Sequence, residues 1–262
     1  MPGLFDLTGR VVVATGGASG VGLGFLQGCA RQGAIVAIWD RDQTRYAELG
    51  RHLVSLGATG VHAEQVDVAD EAAVDAAMAR TLAALGRIDC CFANAGVGGR
   101  APAMTELTSE AYHALLAVNL HGAFYTLRAA ATHMKERAAA GDRGGSLVAC
   151  GSLSTFHGVP GMQHYAAAKG ALSAMIKGLA VEMGPFGVRA NMLVPGFILT
   201  GLTEGNSQIQ SVVDRFAAIT PLGRPGDLSD IEGPAAYLAS AASKFQTGQE
   251  LIVDGGRLVK NI

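Results

Sequence analysis

The sequence predicts one doubly wound α/β domain, with a seven-stranded, mostly parallel sheet covered by helices on both faces. Three observations predict it. Short β-rich runs alternate with longer Ala- and Leu-rich amphipathic stretches from one end of the chain to the other. The strand candidates are apolar throughout, as strands buried on both faces are. A glycine-rich stretch joins the first strand to the first helix, and right-handed crossovers complete the winding.

The strands fall at 10–15, 34–40, 60–66, 88–94, 144–151, 188–194 and 250–253. Between them, apolar residues at helical spacing predict helices at 20–32, 43–56, 71–85, 109–139, 163–183 and 228–241. No repeat, linker or break in composition divides the chain, so one domain spans 1–262. One stretch interrupts the alternation. Residues 197–225 are too long for an ordinary connection and carry Gly201, Gly205 and Asn206 beside a short helical pattern at 209–218. They are read as a lid over the carboxyl ends of the strands, where ligands bind in this architecture.

Composition narrows the function. The 262 residues are 49% hydrophobic and 16% charged, with a net charge of −2 and no block of like charges. Neither a nucleic-acid nor a membrane-surface partner is expected from that balance. The apolar runs are too short to span a bilayer, and no basic-then-apolar leader opens the chain. Cys29, Cys90, Cys91 and Cys150 lack metal-ligand spacing, so buried thiols in a reducing, cytoplasmic compartment are expected.

The stretch Thr15-Gly16-Gly17-Ala18-Ser19-Gly20-Val21-Gly22 lies between strand and helix. Glycines there permit a tight turn and let a pyrophosphate approach the backbone at a helix N-terminus. Asp40 ends the second strand, 20 residues past Gly20. A carboxylate there can accept from both ribose hydroxyls of an adenosine and repel a 2′-phosphate. Position 19 is Ser, with no charge to hold such a phosphate, although Arg41 could meet one. NAD is therefore expected ahead of NADP. Asp67-Val68 and Asn94-Ala95-Gly96 end the third and fourth strands, where adenine and a ribose would lie.

Tyr165 and Lys169 stand one helical turn apart, so a phenol and an ammonium share one helix face. An ammonium about 4 Å from a phenol is worth roughly 4 kcal/mol at an effective dielectric of about 20. That would bring the phenol from its ordinary pKa of about 10 toward neutrality. Ser152 and Ser154 offer two hydroxyls, on the same side of an extended segment by alternation. No Gly-x-Ser-x-Gly elbow surrounds either, which disfavours a serine hydrolase. Asn119 lies within an apolar helical run, and a buried amide needs partners. His157 and His164 are read as substrate-contact or surface residues.

In order and spacing these features resemble the short-chain dehydrogenase/reductase family in its compact, single-domain form. The match comprises Thr-Gly-x-x-x-Gly-x-Gly at 15–22, Asn94-Ala95-Gly96, Asn119, Ser152, Tyr165-x-x-x-Lys169, and Pro195-Gly196 followed by Ile198 and Thr200. It continues to Val253-Asp254-Gly255-Gly256 near the C-terminus. Ala93 departs from it, since many members carry Asn there, and Asn191-Met192-Leu193-Val194 is bulkier than usual. The resemblance implies a dinucleotide-binding (Rossmann-type) fold and reversible, NAD-dependent oxidation of a secondary alcohol to a ketone. Tyr165 would be general acid/base, and Lys169 would lower its pKa and hold the nicotinamide ribose. Ser152 would stabilise the developing alkoxide, while Asn119 would support a water relay through Lys169. Hydride would pass to the pro-S face, and no metal is needed.

Cofactor contacts are expected from Gly16, Ser19, Gly20, Val21, Gly22, Asp40, Asp67, Val68, Asn94, Ala95, Gly96, Tyr165, Lys169, Pro195, Gly196, Ile198 and Thr200. Substrate contacts are expected from Ser152, Ser154, Tyr165 and Phe197. Val97, Leu153, Phe156, Met162, Phe197, Leu199 and Leu202 suggest an apolar pocket for a medium-sized alicyclic or aromatic alcohol, with Arg100, His157 and Gln163 as polar anchors. Family members commonly pair through the helices carrying Asn119 and Tyr165, so a homotetramer or homodimer is expected. The rival is an NAD(H)-binding regulator or scaffold without turnover, which would be expected to lose part of the catalytic set. A lyase or dehalogenase on the same frame should lack the glycine loop.

Overall fold

A computed structural model describes residues 3–98, 102–200 and 207–260. Seven strands form one sheet in the order β3-β2-β1-β4-β5-β6-β7. They are β1 (Val11–Thr15), β2 (Ile35–Asp40), β3 (Gly60–Gln65), β4 (Cys90–Ala93), β5 (Gly145–Cys150), β6 (Val188–Pro195) and β7 (Glu250–Val253). Every neighbouring pair is parallel, as the doubly covered, apolar strands require.

Alternate residues along each strand feed two cores. On one face Val13, Trp39, Cys91, Leu147 and Met192 pack beneath α3 (Glu71–Leu85), α5 (Ala123–Ala139) and α6 (Gln163–Met183). On the other, Val12, Ile38, Phe92, Val148 and Leu193 pack beneath α1 (Gly20–Ala30), α2 (Tyr46–Leu56) and α8 (Leu228–Ala239). Two polar groups of the interior find partners across elements: the Trp39 indole donates to Thr81 Oγ1 at 3.0 Å. The Asp89 carboxylate accepts the Val11 N–H and bonds Arg10, Arg87 and Arg137.

Three expectations about elements need correction. The helix expected over 109–139 is three pieces: α4 (Ser109–Leu116), a π-helical turn (Ala117–Gly122) and α5. The turn packs close to the β3–α3 connection, where a Cβ on Gly122 would lie 2.6 Å from Val68 Cγ2. α2 starts at Tyr46 rather than residue 43, because the Asp42 carboxylate accepts the Thr44 N–H at 2.9 Å and holds a turn there. Residues 151–155 are not extended, since Leu153–Thr155 form a 3₁₀ turn. Ser152 and Ser154 therefore do not share a face by strand alternation. In the expected lid, α7 (Ser207–Ile219) is helical, while Gly201, Leu202, Gly205 and Asn206, like Arg100, lie outside the described residues.

Candidate active site

The chain order reverses between β1 and β4, which opens a crevice at the carboxyl ends of the strands. The glycine loop lies there. Gly16 and Gly20 have φ of +64° and +53°, a region that side chains disfavour. A Cβ on Gly22 would overlap the Gly16 carbonyl oxygen and lie 2.5 Å from Asn94 Nδ2. Ser19 precedes α1 with extended backbone and makes no side-chain capping bond. The first amides of α1, at Gly20, Val21 and Gly22, are thus left for another acceptor. A Cβ on Gly20 would touch Thr200 Cγ2 at 3.5 Å, so Thr200 reaches across this loop.

Asp40 stands at the β2 terminus, as expected. Its Oδ2 accepts the Ala18 N–H at 3.0 Å and its Oδ1 the Asp42 N–H at 3.1 Å. Each carboxylate oxygen retains a lone pair for a ribose hydroxyl. Asp67 holds its own turn through the Ala69 N–H at 3.0 Å, whereas Val68 is buried against Gly122. A nucleotide contact from Val68 would therefore fall to its backbone.

Thr15, which opens the glycine stretch and was given no separate role from the sequence, organises the crevice floor. Its hydroxyl accepts the N–H groups of Asn94 and Ala95, each at 3.0 Å, and its carbonyl accepts Asn94 Nδ2 at 2.9 Å. The signal was a polar residue ending an otherwise apolar strand. The Gly96 turn packs close to Asn119, whose Oδ1 would lie 3.3 Å from a Cβ there. Asn119 is fully buried and clamps Val97, accepting its N–H at 2.8 Å and donating to its carbonyl at 2.9 Å. The π-turn thus places an amide against the loop after β4, and this clamp occupies both ends of the carboxamide.

Ser152, Tyr165 and Lys169 come together beyond β5. Lys169 is 3% exposed, and its ammonium donates to the Cys150 carbonyl at 2.8 Å. It stands 5.7 Å from the Tyr165 ring centre. The expected acidification of Tyr165 by Lys169 is not what this geometry gives. Burial pushes the phenol up to about 12, the neighbouring Cys150 thiol adds to the rise, and the Ser152 hydroxyl pulls down. Burial likewise lowers Lys169 below its ordinary value.

Gly196 crosses β7 closely, bonding the Val253 carbonyl at 2.8 Å; a Cβ there would meet Asp254 Cα at 2.8 Å. Ile198 bridges Gly226, which fastens one end of the lid segment to the other. Phe197 stacks on Phe216 of α7, with ring centres 3.8 Å apart. Leu153, Phe197, Ile198, Phe216 and Leu222 line a cavity of about 130 Å³ with Arg257 at its wall. A glycine cradle, a helix start lacking a side-chain cap, a strand-end carboxylate and a Ser–Tyr–Lys cluster all lie at or beyond the carboxyl ends of the parallel strands β1, β2 and β5. These residues fit a nicotinamide dinucleotide, which supplies hydride chemistry.

The site and fold define a dinucleotide-dependent oxidoreductase class. Residues 16–257 match the family model described as enoyl-(acyl carrier protein) reductase. The chain is 32% identical over 259 residues to L-rhamnose 1-dehydrogenase (NAD(P)(+)) of Azotobacter vinelandii, covering 97% of this chain and 98% of that protein. It superimposes on a short-chain type dehydrogenase/reductase from Mycobacterium marinum with a TM-score of 0.88, at 30% identity and 97% coverage of each chain. A gluconate 5-dehydrogenase from Burkholderia cenocepacia J2315, in complex with NADP and tartrate, gives a TM-score of 0.87 at 35% identity and 98% coverage of each. The chain belongs to the short-chain dehydrogenase/reductase family of oxidoreductases.

All four cysteines are buried free thiols, and no helix among the described residues is long and apolar enough to cross a membrane.

Proposed function

We propose that the protein catalyses reversible, NAD-linked oxidation of a ring-bearing secondary alcohol to a ketone. The observation that carries this reading is the buried Lys169 ammonium, one turn from Tyr165 and close to Ser152, at the sheet edge that also holds the glycine loop. A bound nicotinamide supplies the hydride acceptor or donor. Tyr165 holds the substrate oxygen and exchanges its proton. Ser152 donates a second hydrogen bond to that oxygen and stabilises charge developing there. Lys169 has one donor on Cys150, which leaves two N–H bonds for the nicotinamide ribose. Asn119 keeps the loop after β4 in place through Val97.

Asp40 supports NAD as the preferred cofactor, because a carboxylate at the β2 terminus would repel a 2′-phosphate on the adenosine ribose. The relatives named with NAD(P) or NADP make this preference a quantity to measure rather than assume. The apolar side chains Leu153, Phe197, Ile198 and Phe216 in the cavity named above support a medium-sized alicyclic or aromatic substrate. In a reducing, cytoplasmic compartment the buried thiols stay reduced. The chain is proposed to assemble as a homotetramer or homodimer through the α4–α5 and α6 helices; a monomer by light scattering at micromolar concentration would overturn that. Tyr165→Phe should cut turnover by about 10³-fold while leaving the NADH dissociation constant within about threefold. Full activity in that variant would refute the assignment.

A further inference from the structure

At the amino ends of the parallel strands, opposite the glycine loop, lies a second cavity of about 240 Å³, against about 130 Å³ for the one beside Phe197. Its charged lining comes from five separate pieces of chain. Asp6 and Arg10 precede β1, Asp89 precedes β4, and Arg143 precedes β5. Arg189 is the second residue of β6, and Lys244 follows α8. Four cations therefore line this cavity with two carboxylates, in a chain whose net charge is −2.

The two carboxylates do not neutralise these cations. Asp89 is already met by Arg10, Arg87 and Arg137 and by the Val11 N–H, so three cations share one anion. Asp6 closes its own turn by accepting the Thr8 N–H at 2.9 Å. Among the described residues, Arg143, Arg189 and Lys244 pair with no carboxylate. Arg189 is held at the wall by the Leu238 and Ser240 carbonyls and contributes its charge. Arg10, Arg143 and Lys244 are exposed, and each retains N–H donors beyond those its protein partners use. Like charges gathered without counter-charge repel one another, and a cleft lined by one sign of charge draws in ions of the other.

The ligand follows from charge and shape. A carboxylate offers two oxygens in one plane. A phosphate monoester carries about −1.5 to −2 charge at pH 7 and three acceptor oxygens. The phosphate matches both the excess of two positive charges and the three exposed cations, which come from three different elements. We infer that this cavity binds a small phosphate-bearing anion, a monoester or a diphosphate, at a site separate from the cofactor's. Arg189 and Gly196 lie about 23 Å apart at roughly 3.3 Å per residue along β6, so the ligand is a strand's length from the catalytic end. It ties the starts of β1, β5 and β6 to the end of α8 and stabilises the folded chain by mass action. The inference does not depend on which alcohol the enzyme oxidises.

The test uses the full chain saturated with NADH, so that the glycine loop is occupied, in phosphate-free buffer at fixed ionic strength. Calorimetry with inorganic phosphate, pyrophosphate and acetate reads binding, and thermal melts read the accompanying stabilisation. Phosphate or pyrophosphate should bind with a Kd of about 1 mM or below, and acetate at least about tenfold more weakly. Lys244→Glu and Arg143→Glu should each weaken binding about tenfold or more, while Arg51→Glu on α2 stays within about twofold. All three variants should bind NADH as the native protein does, which shows that they are folded. Should NADH fail to bind even the native chain, the cofactor reading falls, and the variant titrations still decide this inference. Acetate matching phosphate would reduce the cavity to general screening and overturn it. So would displacement of NADH by phosphate, equal effects of the three substitutions, or no binding below about 10 mM.

Discussion

Two glycines of α1 present the same steric problem at sites of different function. A Cβ on Gly22 would overlap the Gly16 carbonyl oxygen and lie 2.8 Å from its carbon, inside the cofactor cradle. A Cβ on Gly28 would overlap the Glu232 carbonyl oxygen and lie 2.7 Å from Glu232 Cα, where α1 crosses α8. Six residues at 1.5 Å rise separate them by about 9 Å along the helix. Either alanine forces backbone to move by several tenths of an ångström or more, at a cost of about 1–3 kcal/mol in stability. Only Gly22→Ala moves the Gly16 peptide and the Asn94 amide that ties β4 to β1. A shift there costs the cradle amides their hydrogen bonds to the pyrophosphate, each worth about 1.5–3 kcal/mol to a charged group, or roughly 10- to 150-fold in affinity. Gly22→Ala should therefore raise the NADH dissociation constant about 100-fold. Gly28→Ala should leave it within about threefold, at temperatures where the protein stays folded. Thermal melts establish the shared stability loss, and NADH fluorescence titration reads the difference. Equal effects on cofactor affinity in the two variants would refute the placement of the cofactor at the glycine loop.

Two further outcomes follow from single side chains. Asp40→Ala removes the proposed ribose acceptor and the repulsion of a 2′-phosphate, so NAD affinity should fall at least tenfold relative to NADP in paired titrations; an unchanged preference would remove Asp40 from that role. His133 Nε2 accepts the Ile88 N–H at 3.2 Å, and burial holds its pKa below the ordinary 6.5. The unfolded chain then binds the extra proton first, so the contribution of neutral His133 is present above about 6.5 and is lost as pH falls through that value. Melting temperature should decline more steeply below pH 6.5 in the native protein than in His133→Gln, and parallel declines would exclude the effect.

The order of elements was legible because a doubly covered parallel sheet writes each strand as an unbroken apolar run. Their ends were less so, because side-chain bonds set them: Asp42 delays α2, and Asp89 sits on the β1 N-terminus. The π-turn at Ala117–Gly122 was not legible, since one extra residue per turn hardly disturbs the apolar periodicity of 109–139. At the site, Tyr165-x-x-x-Lys169 and the glycines were readable from spacing alone. What escaped were partners that carry no residue-type signature. The Cys150 carbonyl that receives Lys169 is one, and the Val97 peptide that receives Asn119 is another.

The high pKa of Tyr165 turns the sequence argument around and gives the two reaction directions different pH behaviour. A phenol pushed up to about 12 by burial is protonated throughout the neutral range, which is the form needed to deliver a proton to a carbonyl oxygen. The ammonium that was expected to oppose this stands 5.7 Å from the ring centre and is bonded to a backbone carbonyl. Coulomb's law at an effective dielectric of about 20 gives such a pair roughly 3 kcal/mol, before burial is set against it. Ketone reduction should accordingly stay flat from pH 6 to 9, because the acid form is never depleted. Alcohol oxidation needs the phenolate, a small fraction that grows about tenfold for each pH unit below the phenol's pKa, so its kcat/KM should climb with slope near one across that range. Initial rates in both directions, with saturating cofactor, decide the matter. An oxidation profile already level above pH 7 would mean that the phenol is acidified in the working enzyme, and that Lys169 leaves the Cys150 carbonyl to do it.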